Sequence, residues 1–375
     1  MTIRVCFVGD DAHPPWNHAS SILTKRLIEC LSGREVECSL ATSKGSNSWS
    51  HELVDVEKLF ARTSGRPSLD AVRLSIASRT INPDILHLVG TNALVFSPVS
   101  KALGGKARIV RHIFTPYDSK DRAVGPLRTV ANRLFIDSYA FTTSRIGMWE
   151  NEVGGRTRRF IFRPPINTEF YQPGEGSMLG EDSKSPIVLY MGPLMPTRFP
   201  KEIVLRAMKR LKERGMKPRL VVLTSASRSS MDECNKLVSM SREMSLSDDV
   251  LVERIDLSET QRIRWYNTAD IVLFPYLGRD PEKLADPPFG ILEAMSCGSV
   301  VLATDVLSVS DVVQDGTNGF LMKRMTVEDL EAGLERAIQS IGSSVGSNAR
   351  AKILRTFDYG IVSQEIEKAY SILVG

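Results

Sequence analysis

Short apolar runs that each stop at a glycine or proline, separated by stretches with helical spacing, constrain this chain more than any other feature. Ile3-Arg4-Val5-Cys6-Phe7-Val8 stops at Gly9. A run of that kind is too short for a helix and suits a parallel strand buried on both faces. Ile22, Leu23, Leu27, Ile28 and Leu31 follow at helical spacing, with Gly33 where a C-terminal cap is expected. Residues 36–41, 85–89, 108–114 and 159–162 read as further strands, the second of them preceded by the turn Asn82-Pro83-Asp84. Strands alternating with helices imply a parallel sheet covered on both faces.

The rhythm breaks over residues 164–186, which hold four prolines, three glycines and the polar run Glu181-Asp182-Ser183-Lys184-Ser185. That composition reads as a linker. The pattern then restarts. Residues 187–191 form a strand ending at Gly192, and Ile203, Val204, Ala207, Met208 and Leu211 mark a helix. Residues 220–223, 271–274 and 299–303 are further strands. Thr326 and Asp329 resemble a capping box ahead of a helix through Leu330, Leu334 and Ile338. The last helix, from about Tyr359 to Leu373, aligns Val362, Ile366, Ala369 and Leu373 on one side. No repeat of 20–50 residues is present, which excludes a solenoid or propeller. Two doubly wound α/β halves remain, a fold in which ligands bind at the carboxyl ends of strands and, with two halves, in the cleft between them.

Length agrees, since 375 residues suit two domains better than one. With 42% hydrophobic and 25% charged residues the chain is globular, not disordered. The longest charge-free stretch, 85–100, has 16 residues and contains Gly90, Asn92 and Pro98, so no transmembrane helix is expected. Met1-Thr2-Ile3-Arg4-Val5 runs directly into a strand pattern without a signal-peptide layout. The five cysteines (6, 30, 38, 234 and 297) form no CxxC and read as buried thiols, neither a disulfide frame nor a zinc site. A cytoplasmic protein is the expectation. Residues 1–180 hold 23 basic against 17 acidic side chains, and 101–163 hold 13 against 5. A half so biased suggests an anionic partner, such as a phospholipid surface or lipid phosphate; a merely solvated basic surface is the plain alternative.

Chemistry concentrates in Asp286-Pro287-Pro288-Phe289-Gly290-Ile291-Leu292-Glu293-Ala294-Met295-Ser296-Cys297-Gly298-Ser299-Val300-Val301. A Pro/Gly loop opens a short helix that feeds a buried strand. Amides at a helix start, with the positive end of its dipole, suit a phosphate. Prolines cost little there. Glu293 falls one to two turns in, where a carboxylate can accept from ribose hydroxyls; otherwise it complements the helix dipole.

This segment resembles the donor-site signature of the retaining glycosyltransferases of family four, which have the GT-B fold. The likeness continues through Asp311-Val312-Val313-Gln314-Asp315-Gly316-Thr317-Asn318-Gly319-Phe320-Leu321. Pro83-Asp84-Ile85-Leu86-His87, Phe162-Arg163-Pro164-Pro165-Ile166-Asn167-Thr168-Glu169-Phe170, Tyr266-Asn267-Thr268-Ala269-Asp270-Ile271 and Phe357-Asp358-Tyr359 agree in order. The resemblance is specific over 187–322 and loose over 1–160. It implies two Rossmann-like parallel-sheet domains facing a cleft: an acceptor-side domain, 1–165, to which helix 359–375 crosses back; a linker, 166–186; and a donor domain, 187–358. It implies transfer of a sugar from a nucleoside-diphosphate-sugar with retention, to a lipid-linked or glycan acceptor, without metal or other cofactor. An anionic membrane is then the natural peripheral partner of the basic first half.

Residue by residue, Glu293 matches the family's ribose-binding glutamate, and the amides of Phe289, Gly290 and Ile291 fall where the diphosphate is held. The family's first glutamate would fall on Ala285; Asp286 is the nearest substitute for contacting the transferred sugar. Gly192-Pro193-Leu194 stands where Gly-Arg-Leu is usual, so Pro193 replaces an arginine and Arg198 becomes the cation for the leaving diphosphate. A guanidinium can do this through paired donors. Asp10 and His13 occupy the loop after the first strand, facing the expected cleft. His112 lies near the strand end where the family has a donor-facing histidine, although the register favours Phe114. His87 reads as a core residue. Rival readings are a GT-B nucleotide-sugar epimerase and a non-catalytic nucleotide-sugar-binding subunit. Nucleic acid is not expected, since no basic motif is interleaved with aromatics.

Overall fold

The computed structural model describes residues 2–13, 16, 18–42, 57–60, 66–90, 93–115, 130, 134–149, 157–176, 178–179, 185–227, 230–278 and 284–375. They fall into two units: Met1–Asn167 with Phe357–Gly375, and Thr168–Thr356.

Unit one runs β1 (Ile3–Gly9), α1 (Ala19–Leu31), β2 (Val36–Thr42), β3 (Glu57–Phe60), α2 (Pro67–Ser78), β4 (Ile85–Val89), α3 (Ala93–Ala102), β5 (Arg108–Ile113), β6 (Ser138–Phe141), α4 (Ser144–Trp149) and β7 (Arg158–Ile161). Among the described residues its sheet has seven parallel strands in the order β3-β2-β1-β4-β5-β6-β7. Val5 pairs with Cys38 on one side and with Ile85 on the other, so the winding reverses at β1/β4. Cys6, Val8, Leu74, Leu86, Phe96, Ile109 and Tyr139 belong to one buried cluster. Gly33 has φ +75° just past α1, where a left-handed cap needs glycine.

Unit two runs β8 (Ile187–Met191), α5 (Lys201–Glu213), β9 (Arg219–Thr224), α6 (Met231–Glu243), β10 (Val250–Arg254), α7 (Glu259–Thr268), β11 (Ile271–Phe274), α8 (Phe289–Ser296), β12 (Val300–Thr304), α9 (Val309–Val312), β13 (Phe320–Met322), α10 (Val327–Gln339) and α11 (Val345–Thr356). Among the described residues six parallel strands stand in the order β10-β9-β8-β11-β12-β13, and the winding reverses at β8/β11. The apolar stripe of α5 (Val204, Leu205, Ala207, Met208 and Leu211) is buried in the unit's core with Val188, Leu220, Leu273 and Leu334. Thr326 accepts from the Asp329 amide at 3.1 Å and caps α10, which is the Thr326 half of the expected capping box. The chain then returns to unit one as α12 (Tyr359–Val374), with Val362, Ile366, Ala369 and Leu373 all buried.

Residues 166–186 behave differently from a linker where they are described. Ile166 bridges to Asp358 in unit one, its amide donating to Phe357 O at 2.7 Å. Tyr171 is buried, and its carbonyl accepts from Ser296 Oγ at 2.6 Å and from Arg350 Nη1 at 3.0 Å. Arg350 also donates to Thr168 O at 3.1 Å. Proline and glycine preclude regular structure there, but side chains distant in sequence satisfy the carbonyls and hold the segment down. Residues 177 and 180–184 of the expected linker lie outside the described residues.

Candidate functional site

The expected donor residues converge at the carboxyl ends of β8 and β11, the switch point of unit two, where such sheets bind ligands. β8 ends at Gly192, whose amide donates to Leu223 O at 3.0 Å. Its φ is +156°, a conformation that favours glycine, and a Cβ there would make a tight contact at 3.0 Å with Tyr190 Oη. Tyr190 packs on Phe199 and donates to Pro193 O at 2.7 Å. Lys201 reaches back to Leu194 O at 2.8 Å while pairing with Glu233, which closes the loop 193–199 against α5.

Arg198 is half-buried at the end of that loop. Its amide donates to Met195 O at 2.9 Å, and Thr197 O accepts from the Leu277 amide at 2.8 Å, joining the loops after β8 and β11. Burial pushes the Tyr276 hydroxyl up, with the Arg198 charge pulling against it, which places the guanidinium's field at the end of β11. Tyr190 is raised in the same way, by burial and by Tyr276, again against Arg198.

α8 begins here too. Pro288 stands at its N-cap and offers no side-chain acceptor of its own, and Ile291 N donates to Pro288 O at 3.1 Å. A Cβ on Gly290 would meet the Phe274 ring at 3.1 Å, so the helix start lies directly on the last residue of β11. The amides of Phe289, Gly290 and Ile291 thus form an N-terminal turn with the positive end of the dipole at a sheet's switch point. One turn further, Glu293 is buried, and its Oε2 accepts from Tyr266 Oη at 3.0 Å with Arg262 Nε at 3.9 Å. Burial, and then Glu293, push the Tyr266 hydroxyl well above its ordinary range. Arg262 and Tyr266 were not anticipated as site residues. Their spacing on α7 was the available signal, because residues four apart share a helix face.

Two expected site residues are held inside their own units by other partners. Asp286, expected near the transferred sugar, is engaged within unit two. It is fully buried, Oδ1 accepting from Ser308 N at 2.8 Å and Oδ2 from Ser308 Oγ at 3.0 Å, so it fastens the loop after β12. His112, expected to face the donor, is engaged within unit one. It is buried in unit one, stacked on His87, whose Nε2 lies 3.0 Å from His112 Nδ1. The register Val89↔His112 turns its ring into the core, and burial lowers its pKa to about 3. The stretch 311–321 runs from the end of α9 through a turn into β13: Asn318 Oδ1 accepts from Gln314 N at 2.6 Å, and Gly316 has φ +71°.

Asp10 and His13 sit in the turn after β1, at the switch point of unit one. The Ala12 amide reaches Gly9 O at 3.4 Å and the His13 amide Asp11 O at 3.0 Å. Pro14, Pro15 and Asn17 lie outside the described residues, as do residues 116–129, 131–133 and 150–156 of the basic segment. His18 precedes α1, its amide donating to Ser21 Oγ at 3.2 Å.

Residues 185–340 match the model of a family described as glycosyl transferases group 1. A D-inositol 3-phosphate glycosyltransferase of Mycobacterium marinum is 25% identical over 224 residues, covering 57% of this chain and 45% of that protein. The chain thus matches less than half the length of that relative. Among solved structures, Anabaena HepE in complex with UDP is similar with a TM-score of 0.77 at 15% identity, over 99% of this chain and 100% of that one. A glycosyltransferase from Rickettsia africae ESF-5 gives 0.76 at 12% identity, over 100% and 99%. No helix among the described residues is long and apolar enough to cross a membrane. Residues 185–340 therefore carry the pattern of the group 1 glycosyl transferases, on a chain with the GT-B fold.

Proposed function

We propose that this protein is a glycosyltransferase that moves a sugar from a nucleoside-diphosphate-sugar to an acceptor with retention of the anomeric configuration. One observation carries the reading: a helix start with proline at its N-cap, a half-buried arginine and a buried glutamate lie at the β8/β11 switch point. Breaking the sugar–phosphate bond leaves charge on the diphosphate, and groups that stabilise that charge lower the barrier. In this reading the amides of Phe289 and Gly290 and the Arg198 guanidinium receive it, with Ile291, whose amide donates to Pro288 O at 3.1 Å, completing the same turn beside Gly192. Glu293 takes the ribose hydroxyls. Asp286, committed to Ser308, is left out of this assignment, and the sugar hydroxyls have no assigned partner in unit two.

Unit one holds the acceptor, a lipid-linked phosphate or a growing glycan, with Asp10 and His13 at its own switch point. The basic bias of residues 101–163 supports a cytoplasmic protein that touches an anionic membrane surface. A second reading, a non-catalytic nucleotide-sugar-binding subunit, draws on the burial of Asp286 and on Pro193 in place of an arginine.

Because HepE was solved with UDP, UDP-sugars come first in the donor panel. Arg198→Ala is expected to lower kcat by about 10²–10³. Glu293→Ala is expected to weaken nucleoside-diphosphate binding by about tenfold or more. Nuclear magnetic resonance of the product reads the anomer. Donor binding without turnover on any acceptor favours the second reading, and both variants behaving as wild type would remove the site.

A further inference from the structure

Glu293 is held from a neighbouring helix. Arg262 and Tyr266 leave the same face of α7, and both act on the same carboxylate oxygen, Glu293 Oε2, at 3.9 and 3.0 Å. Arg262 is itself anchored: its Nη2 donates to Tyr171 Oη at 3.2 Å, Tyr171 Oη donates to Glu259 Oε1 at 3.1 Å, and Arg262 lies 3.5 Å from that Glu259 oxygen. Tyr266 is anchored as well, because its carbonyl accepts from Ser299 Oγ at 3.0 Å.

A carboxylate that binds two vicinal hydroxyls must present its plane to both. The terminal torsion of a glutamate is broad, so that plane is not set by the side chain alone. Burying a carboxylate costs free energy unless it is paired and hydrogen-bonded. Tyr266 supplies a donor in a fixed direction, and Arg262 supplies the charge. We infer that Tyr266 and Arg262 are positioning residues that orient Glu293 toward the ribose, and so determine selectivity for a nucleotide with a vicinal diol over its dideoxy counterpart. This rests on the reading that Glu293 takes the ribose hydroxyls. If the two residues merely stabilised α7 and α8, their loss would lower stability without touching that selectivity.

Calorimetric titration of the full chain with UDP, GDP and ADP identifies the tightest ligand, which is then compared with its 2′,3′-dideoxy analogue. Wild type is expected to prefer the ribose form by about tenfold or more, the range of hydrogen bonds to a charged group. Tyr266→Phe is expected to reduce that preference to about threefold or less while leaving the dideoxy affinity within about twofold of wild type. Arg262→Gln is the second variant, with the same expectation, and decides the matter if Tyr266→Phe does not fold. Variants that keep the wild-type preference overturn this inference and leave the assignment of Glu293 standing. A wild type that makes no distinction between the two ligands, or that binds no nucleoside diphosphate, overturns both.

Discussion

Asp286 and Glu293 are two carboxylates seven residues apart, both buried, and their neighbours separate their roles. Glu293 meets a tyrosine and an arginine at the start of a helix; Asp286 meets the amide and hydroxyl of Ser308, in a loop whose Leu307 has φ +53°. Removing a buried acceptor leaves its donors unsatisfied. Asp286→Ala is therefore expected to lower the unfolding free energy by about 1–3 kcal/mol in urea, without a change in donor KM. An unchanged urea midpoint with a raised KM would return Asp286 to the sugar. Nothing in the residue type distinguishes the two carboxylates, and Ser308 stands 22 positions away, so the pairing was not legible before the loop was folded.

Among elements, α12 shows how a helix is fixed onto a sheet. Its buried stripe was readable from spacing, but its polar fastening was not: Tyr370 Oη lies 2.5 Å from His87 Nδ1, and His87 in turn contacts His112. Burial holds both imidazoles neutral, lowering His87 well below its ordinary value and His112 to about 3. The unfolded chain takes up protons on both below about pH 6.5, whereas the folded chain does not. Stability is accordingly complete above that pH and falls as the pH drops below it, by up to about 1.4 kcal/mol per pH unit for each histidine. Urea midpoints at pH 7 and pH 5 test this, with His112→Gln expected to halve the slope; a wild type indifferent to pH over that interval would refute it. Other element-level motifs are likewise structural. Asp84 and Asp270, prominent in the sequence, accept the amides of Arg4 and Ile187 at 2.9 and 2.8 Å, at the start of the first strand of each sheet.

For the whole molecule, chain order and unit membership diverge, because the last segment belongs with the first unit. A chain ending at Thr356 would strip unit one of α12 and leave the core cluster of unit two intact. Hydrogen exchange on that truncated chain is expected to lose protection in β1, α1 and β4 while β8, β11 and α8 keep theirs. Loss spread equally over both units would contradict this division.

Periodicity alone determined the alternation of strands and helices and the restart after residue 186, because burial on both faces of a parallel sheet demands apolar runs whatever the rest of the chain does. Local turn chemistry placed a helix start after the Pro/Gly loop with Glu293 one to two turns in, while residues 289–291 were singled out by the family resemblance. Periodicity passed over 57–60, 138–141, 250–254 and 320–322, strands of three to five residues whose identity comes from neighbours in the sheet. Only the tertiary structure decided that Asp286 is consumed by Ser308, that His112 turns inward, and that Tyr266 and Arg262 converge on one oxygen. The reason is physical: a polar group's role depends on which partner satisfies it, and those partners are brought together by folding, not by position along the chain.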